Sequence, residues 1–280
     1  MEIIYDPAEM QKRALTARRE GHRIAFVPTM GFFHEGHISL MRKGRALGDL
    51  LVVSNFVNPM QFGPAEDLDA YPRDFERDCT MAREAGVDIM FAPRRDSMYP
   101  RGFRTFVEVG EWGTRLCGMT RPTHFRGVTT IVAKLFNIVQ PDAVIMGWKD
   151  AQQFLILRRM VEDLNMPIEM IGVETMREAD GLAMSSRNRY LTAGERAEAP
   201  AIYRSLCEAR SMIEKGERRA DVIMKHIQKT MAGLQHGRID YSEAVSMSSI
   251  EPLSEIQPGD TLIATAVFFG KARLIDNIRC

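Results

Sequence analysis

The chain has 280 residues, is 45% hydrophobic and 26% charged, and balances 37 Lys and Arg against 37 Asp and Glu. Such a composition excludes an intrinsically disordered chain, and zero formal net charge argues against nucleic acid as the main partner, since phosphate binding leaves a basic footprint. No apolar run approaches the ~20 residues of a bilayer span. Met1–Pro7 has no signal-peptide core, and the scattered Cys79, Cys117, Cys207 and Cys280 read as reduced thiols of a cytoplasmic protein.

In chain order, residues 8–20 predict a helix with a basic outer face, and 23–27 a short buried strand. Pro28 and Gly31 break that strand, and a helix follows from Ile38 to about Leu47. Leu50–Ser54 is a second buried strand, running into an amide-rich loop that ends at Gly63. Pro72 is read as opening a helix to Ala85, and Val87–Phe91 as a third strand ended by Pro93. Arg104–Val109 alternates like a strand, and Thr120–Gly127 reads as a loop. Val128, Ile131, Val132, Leu135, Phe136 and Val139 share one helical face. Ala143–Met146 is a fourth strand. A helix with Phe154, Leu157, Val161 and Leu164 inward leads to a fifth strand at Pro167–Val173. Beyond Gly181, Thr192 and Glu195 have capping-box spacing; helices at 194–214 and 219–235 and strands at 238–246, 261–268 and 271–275 follow.

Apolar strands alternating with helices predict an α/β fold, a Rossmann-like parallel sheet with helices on both faces, over residues 1–176. Residues 177–280 predict a smaller α+β C-terminal domain. Ligands bind such sheets outside the carboxyl ends of the strands. The loops at 28–37, 54–63 and 147–153 all follow strands, so they are expected on one edge.

Four clusters carry chemistry, three of them on these loops and one in the C-terminal domain. His34-Glu35-Gly36-His37 stands where a strand hands over to a helix, whose first N–H groups and dipole favour an anion. Alone, such a pair is as well explained by a cap or a surface residue, and its spacing is not that of a zinc site. Ser185-Ser186-Arg187-Asn188 offers hydroxyl, backbone and guanidinium donors for a triphosphate, or is a Ser-rich linker. Lys149 suits a phosphate, Asp150 a ribose hydroxyl and Gln153 a small polar substrate, although Asp150 and Gln153 also have the spacing of a helix cap. Asn58 and Gln61 suit neutral recognition of carboxylates and hydroxyls, or turn chemistry at Asn58-Pro59.

Taken together and in order, these stretches resemble the pantoate–β-alanine ligase family. The resemblance is carried by Pro28-Thr29-Met30-Gly31 with His34–His37, Phe56-Val57-Asn58-Pro59-Met60-Gln61-Phe62, Tyr71-Pro72-Arg73, Arg121-Pro122-Thr123-His124-Phe125-Arg126-Gly127-Val128, Lys149–Gln153, Arg177–Asn188 and Arg273–Asn277. The family belongs to the H-x-G-H nucleotidylyltransferases, whose core is shared with class I aminoacyl-tRNA synthetases. Phe32-Phe33, Asn55, Trp148 and Met176 depart from its usual pattern. The resemblance implies an ATP-dependent ligase that joins pantoate to β-alanine through a pantoyl adenylate, releasing pyrophosphate and AMP. It places His34, His37, Lys149 and Arg187 in catalysis, with His37 as proton donor. It assigns ATP to Met30, Gly31, Phe32, Phe33, His34, Glu35, Gly36, His37, Gly147, Trp148, Lys149, Asp150, Met176, Met184, Ser185, Ser186 and Arg187. Pantoate falls to Gln61 and Gln153, with Asn58 in support and Gln61 also near β-alanine. Mg²⁺ on the phosphates and a homodimer are implied as well. Gly181 and the serines suggest a hinge to a moving C-terminal domain.

Overall fold

The computed structural model describes residues 1–63, 66 and 68–280. The chain divides into two compact units. The first comprises residues 1–114, 118–148 and 156–174, and the second 115–117, 149–155 and 175–280.

The first unit begins with a strand that the sequence pattern does not announce, β1 (Glu2–Ile4), followed by α1 (Pro7–Arg19) and β2 (Ile24–Thr29). Asp6 caps α1 by accepting from Glu9 N at 2.9 Å, and Pro7 at the first helical position has no N–H to lose. Next come α2 (Glu35–Arg45), β3 (Leu50–Asn55), α3 (Phe75–Glu84), β4 (Ile89–Phe91) and a short α4 (Arg95–Met98). A turn, α5 (Cys117–Thr120), precedes α6 (His124–Val139), β5 (Ala143–Gly147), α7 (Ala151–Asp163) and β6 (Glu169–Val173). The six strands are parallel, in the order β1-β4-β3-β2-β5-β6. Their alternating side chains fill both faces. Ala25, Val27, Leu51, Val53, Met90 and Ile145 pack with Ile38 and Met41 of α2. Phe26 points the other way and meets Phe136 of α6 edge-on at 6.4 Å.

Four local expectations are corrected. Pro72 does not open α3; Asp74 does, accepting from Arg77 N at 3.2 Å. Residues 104–109 form no strand; at their centre α6 side chains take Val107's backbone groups, Val107 N donating to Thr130 Oγ1 at 3.0 Å and Thr129 Oγ1 donating to Val107 O at 2.6 Å. The stretch 120–127 is already helical from His124. Leu164 is 52% exposed, one residue past the end of α7, whereas Phe154, Leu157 and Val161 are buried.

In the second unit, the predicted helix at 194–214 is two helices, α8 (Ala193–Glu198) and α9 (Ala201–Glu214), parted at Pro200, which has no N–H to continue the ladder. The capping box is formed: Thr192 and Glu195 satisfy one another's backbone N–H groups. α10 (Ala220–Ala232) and the antiparallel strands β7 (Gly237–Ser246), β8 (Thr261–Phe269) and β9 (Ala272–Arg279) complete the unit, in sheet order β7-β8-β9. Its core joins Ile202 and Leu206 of α9, Ile223 and Ile227 of α10, and Ile263, Val267 and Ile278 of the sheet.

Candidate active site

In the first unit, chain order reverses at β2: β3 and β4 lie on one side, β5 and β6 on the other. Ligands bind outside the carboxyl ends of strands at such a switch point. The loop after β2 carries Met30–His34 and leads into Glu35–His37 at the start of α2, and β5 ends on Gly147, followed by Trp148. The loop after β3 comes to the same place, since Gln61 Nε2 lies 3.0 Å from Met30 Sδ.

The histidine pair caps α2 in an unusual way. His34 Nδ1 accepts from Gly36 N at 3.2 Å, and His37 Nδ1 accepts from His34 N at 3.3 Å. This is a capping box with imidazoles in place of hydroxyl and carboxylate, the ring centroids 4.1 Å apart. An accepting Nδ1 carries no proton, so each neutral ring holds its proton on Nε2. The capping role foreseen for the histidines is thus present, and it uses only Nδ1 of each ring.

The turn that leads into the cap is held by a residue that sequence reasoning missed. Asp78 is 1% exposed. Its carboxylate accepts from Phe32 N and Phe33 N, each at 2.7 Å, and from Asn55 Nδ2 at 2.9 Å. Burial pushes its carboxyl above the ordinary range, while those N–H groups and Arg77 oppose the shift. Two departures from the family pattern thereby find their reason. Asn55 bridges to Asp78 and packs so close to Gly31 that a Cβ there would stand 2.4 Å from Asn55 Oδ1. Phe33 is buried and lies against the His37 ring at 5.5 Å between centroids. A signal for Asp78 did exist: helical spacing puts it on one face with Phe75, Cys79 and Ala82. Trp148, also atypical, is buried over β6, where a Cβ on Gly172 would lie 2.2 Å from Trp148 Nε1.

The amides are buried together. Asn58 caps the 3-10 turn Pro59–Gln61 by accepting from Met60 N. Its Nδ2 donates to Gln61 Oε1 and to Gly127 O, both at 3.1 Å, and its Oδ1 accepts from Tyr99 OH at 2.7 Å. Both roles foreseen for Asn58, turn chemistry and support of Gln61, are present in the geometry. Burial raises the Tyr99 hydroxyl above its ordinary range, so it remains a donor.

In the second unit, Lys149 Nζ lies 3.7 Å from Asp150 Oδ2, and Lys149 O accepts from Asn277 Nδ2 at 3.2 Å. Gln153 is half-buried on the first turn of α7. Gln152, its neighbour, is buried and structural: it accepts from Cys117 N and donates to Arg115 O. Met176 and Met184 are brought together by the bond from Met184 N to Met176 O at 2.9 Å. Ser185 caps the 3-10 turn Ser186–Tyr190, accepting from Arg187 N at 3.2 Å. Below this loop Arg177 makes a bidentate pair with Asp276, at 2.6 and 2.9 Å, and stacks on Tyr203 at 3.5 Å. Arg196 ties Glu178 and Asp180. Gly181 has φ +92, and a Cβ there would stand 2.7 Å from Tyr203 Cδ1, so the turn requires glycine. Among the described residues, Asn188 Oδ1 is a buried acceptor with no protein partner.

The sequence profile of pantoate-beta-alanine ligase matches residues 2–279. A pantothenate synthetase of Syntrophotalea carbinolica is 52% identical over 277 residues, covering 99% of this chain and 98% of that protein. One from Desulfatibacillum aliphaticivorans is 51% identical with the same coverage. Among solved structures, the pantothenate synthetase of Thermus thermophilus superposes with a TM-score of 0.93 at 42% identity, covering 100% of this chain and 99% of that one. The pantoate-beta-alanine ligase of Francisella tularensis, complexed with beta-gamma ATP and beta-alanine, does so at 0.80 and 30%, covering 100% and 97%. An H-x-G-H helix cap at the switch point of a parallel sheet, in a chain so matched from end to end, shows that this chain belongs to the pantoate–β-alanine ligase family.

Proposed function

We propose that these residues carry out the ATP-dependent condensation of pantoate with β-alanine in two steps. First, pantoate's carboxylate oxygen attacks the α-phosphorus of ATP; the new O–P bond forms as the bond to the bridging oxygen breaks, and pyrophosphate leaves. Second, the amine of β-alanine attacks the acyl carbon of pantoyl adenylate. The C–N bond forms, AMP departs, and the amine gives up a proton. Neither step needs a covalent link to the protein, so catalysis rests on positioning and on stabilising phosphoryl charge.

The observation that carries this reading is the imidazole capping box. With both Nδ1 atoms accepting from the backbone, each Nε2–H is a donor at the positive end of α2, suited to phosphate oxygens. Through Nε2–H, His37 donates a hydrogen bond to the departing phosphate oxygen, stabilising the charge that builds there. By the family resemblance, ATP falls to Met30–Gly36, Gly147, Trp148, Lys149, Asp150, Met176 and Met184–Arg187. The buried amide of Gln61, oriented by Asn58, reads pantoate, as does Gln153. Such neutral readers bind a hydroxy acid without neutralising the carboxylate that must attack.

Mg²⁺ fits this scheme as a companion of the nucleotide. Among the described residues no group of three or more His, Cys, Asp or Glu gathers as a cage, and an ion that keeps its waters and binds phosphate oxygens needs none. Bound there, it would offset phosphate charge, with the Asp150 carboxylate 3.7 Å from Lys149. The family resemblance supports a homodimer, and four free cysteines fit a reducing cytoplasm.

The test is isotope exchange. Incubated with ATP, pantoate and labelled pyrophosphate but no β-alanine, the protein is expected to move label into ATP only when pantoate is present. Exchange that ignores pantoate, or none at all, would sink the reading.

A further inference from the structure

One buried network serves no step described so far. Arg121 closes its fork on Glu66, with Nε to Oε1 at 2.8 Å and Nη2 to Oε2 at 2.6 Å. The same guanidinium donates from Nη2 to the carbonyl of Gln61 at 3.2 Å and from Nη1 to His124 Nε2 at 3.1 Å. His124, 8% exposed, meets that carbonyl with Nδ1 at 2.9 Å. The chemistry of the partners settles the tautomer. A carbonyl only accepts and a guanidinium only donates, so His124 is neutral, protonated on Nδ1 and accepting on Nε2. This is the opposite tautomer to that of His34 and His37.

Gln61 O thus receives two bonds from side chains near the start of α6, a buried one from His124 and a part-buried one from Arg121. The same helix start holds the amide turn in two other ways. Gly127 O accepts from Asn58 Nδ2, and Gly127 lets Met60 O approach so closely that a Cβ would stand 2.3 Å from it. Gln61's side chain is fixed by Asn58 and Met30, but its backbone is fixed from the far side by His124 and Arg121.

We propose that His124 and Arg121 are positioning residues: through the Gln61 carbonyl they set where the Gln61 amide stands, and so set the affinity for pantoate. The inference rests on the reading of Gln61 as a pantoate ligand. Glu66 holds the Arg121 fork in the plane that reaches both acceptors. An arginine is needed for this, since one ammonium cannot serve three acceptors in a fixed fork.

Three variants test it by steady-state kinetics and by pantoate-dependent pyrophosphate exchange. His124→Ala removes the donor and should raise KM for pantoate about tenfold or more, since roughly 1.4 kcal/mol is a factor of ten, while KM for ATP stays within about twofold. His124→Asn puts an amide N–H where Nδ1 stood and should restore pantoate KM to within about threefold of the parent. Arg121→Lys keeps the charge, loses the fork, and should again raise KM for pantoate selectively. A merely structural role would move both substrates together and gain nothing from asparagine. Parallel losses for ATP and pantoate, or no rescue by His124→Asn, overturn the proposal. Should His124→Ala not fold, an unchanged pantoate KM in Arg121→Lys overturns it alone. Exchange by the parent protein that does not need pantoate overturns the reading of Gln61 instead, and the inference with it.

Discussion

The residues that define the site do two jobs with different atoms. On the proposed reading, His37 accepts from the His34 amide with Nδ1 and serves phosphate with Nε2. Removing the ring therefore costs one cap bond, about 1 kcal/mol of stability, but a phosphate donor worth about 10²–10³ in rate. His37→Ala is expected to keep its circular dichroism spectrum and to release pyrophosphate at least a hundredfold more slowly, by about the lower end of that range; release at the parent rate would refute its role. Glu66 makes a second residue-scale prediction. Burial pushes its carboxyl up, but the hydrogen bonds and charge of Arg121 outweigh this and hold it below the ordinary value of 4.5. A carboxylate depressed by folding contributes stability above its unfolded pKa and loses it as pH falls through the folded one. Glu66→Gln should then be less stable than the parent at neutral pH yet decline less between about pH 4.5 and acid unfolding. Urea melts across that range measure it, and equal acid slopes would contradict it.

Among the elements, what mattered was which groups satisfied the backbone. The strand at 24–29 and the box Thr192–Glu195 were legible because their signals are local: an apolar run, which the structure carries on through Pro28 to Thr29 rather than breaking at Pro28, and a hydroxyl three residues ahead of a carboxylate. Residues 104–109 alternate as a strand would, but Thr129 and Thr130 of α6 claim Val107's N–H and carbonyl, so no ladder forms. Neither partner is near in sequence, and period alone does not distinguish the two. The start of α6 shows the same dependence. Gly127 looks like loop punctuation in sequence, yet it lies inside the helix where the amide turn docks. Gly127→Ala should cost about 1–3 kcal/mol, the usual range for overpacking, even though alanine is the better helix former. Urea denaturation would show it; a gain in stability, as helix propensity alone expects, would count against the close approach.

For the molecule as a whole, ligand linkage gives a measure independent of turnover. ATP at about 100 times its Kd should stabilise the folded chain by about 2.7 kcal/mol. Thermal unfolding with and without ATP reads this, and an unmoved transition would exclude specific nucleotide binding. The sequence by itself determined the class of fold, the order of nearly all strands and helices, the family, and the short stretches that hold the candidate site. These are written in local period, caps and contiguous motifs, which need no knowledge of distant partners. Tertiary structure alone decided the strand order that puts β2 and β5 at the switch point, because pairing between distant strands leaves no local mark. It also decided that Asp78 clamps Phe32 and Phe33 across 46 and 45 residues of chain, and that His124 reaches Gln61 across 63. Both contacts join buried polar groups whose partners are set by the packing of helices on the sheet, and there the histidine cap acquires its mount.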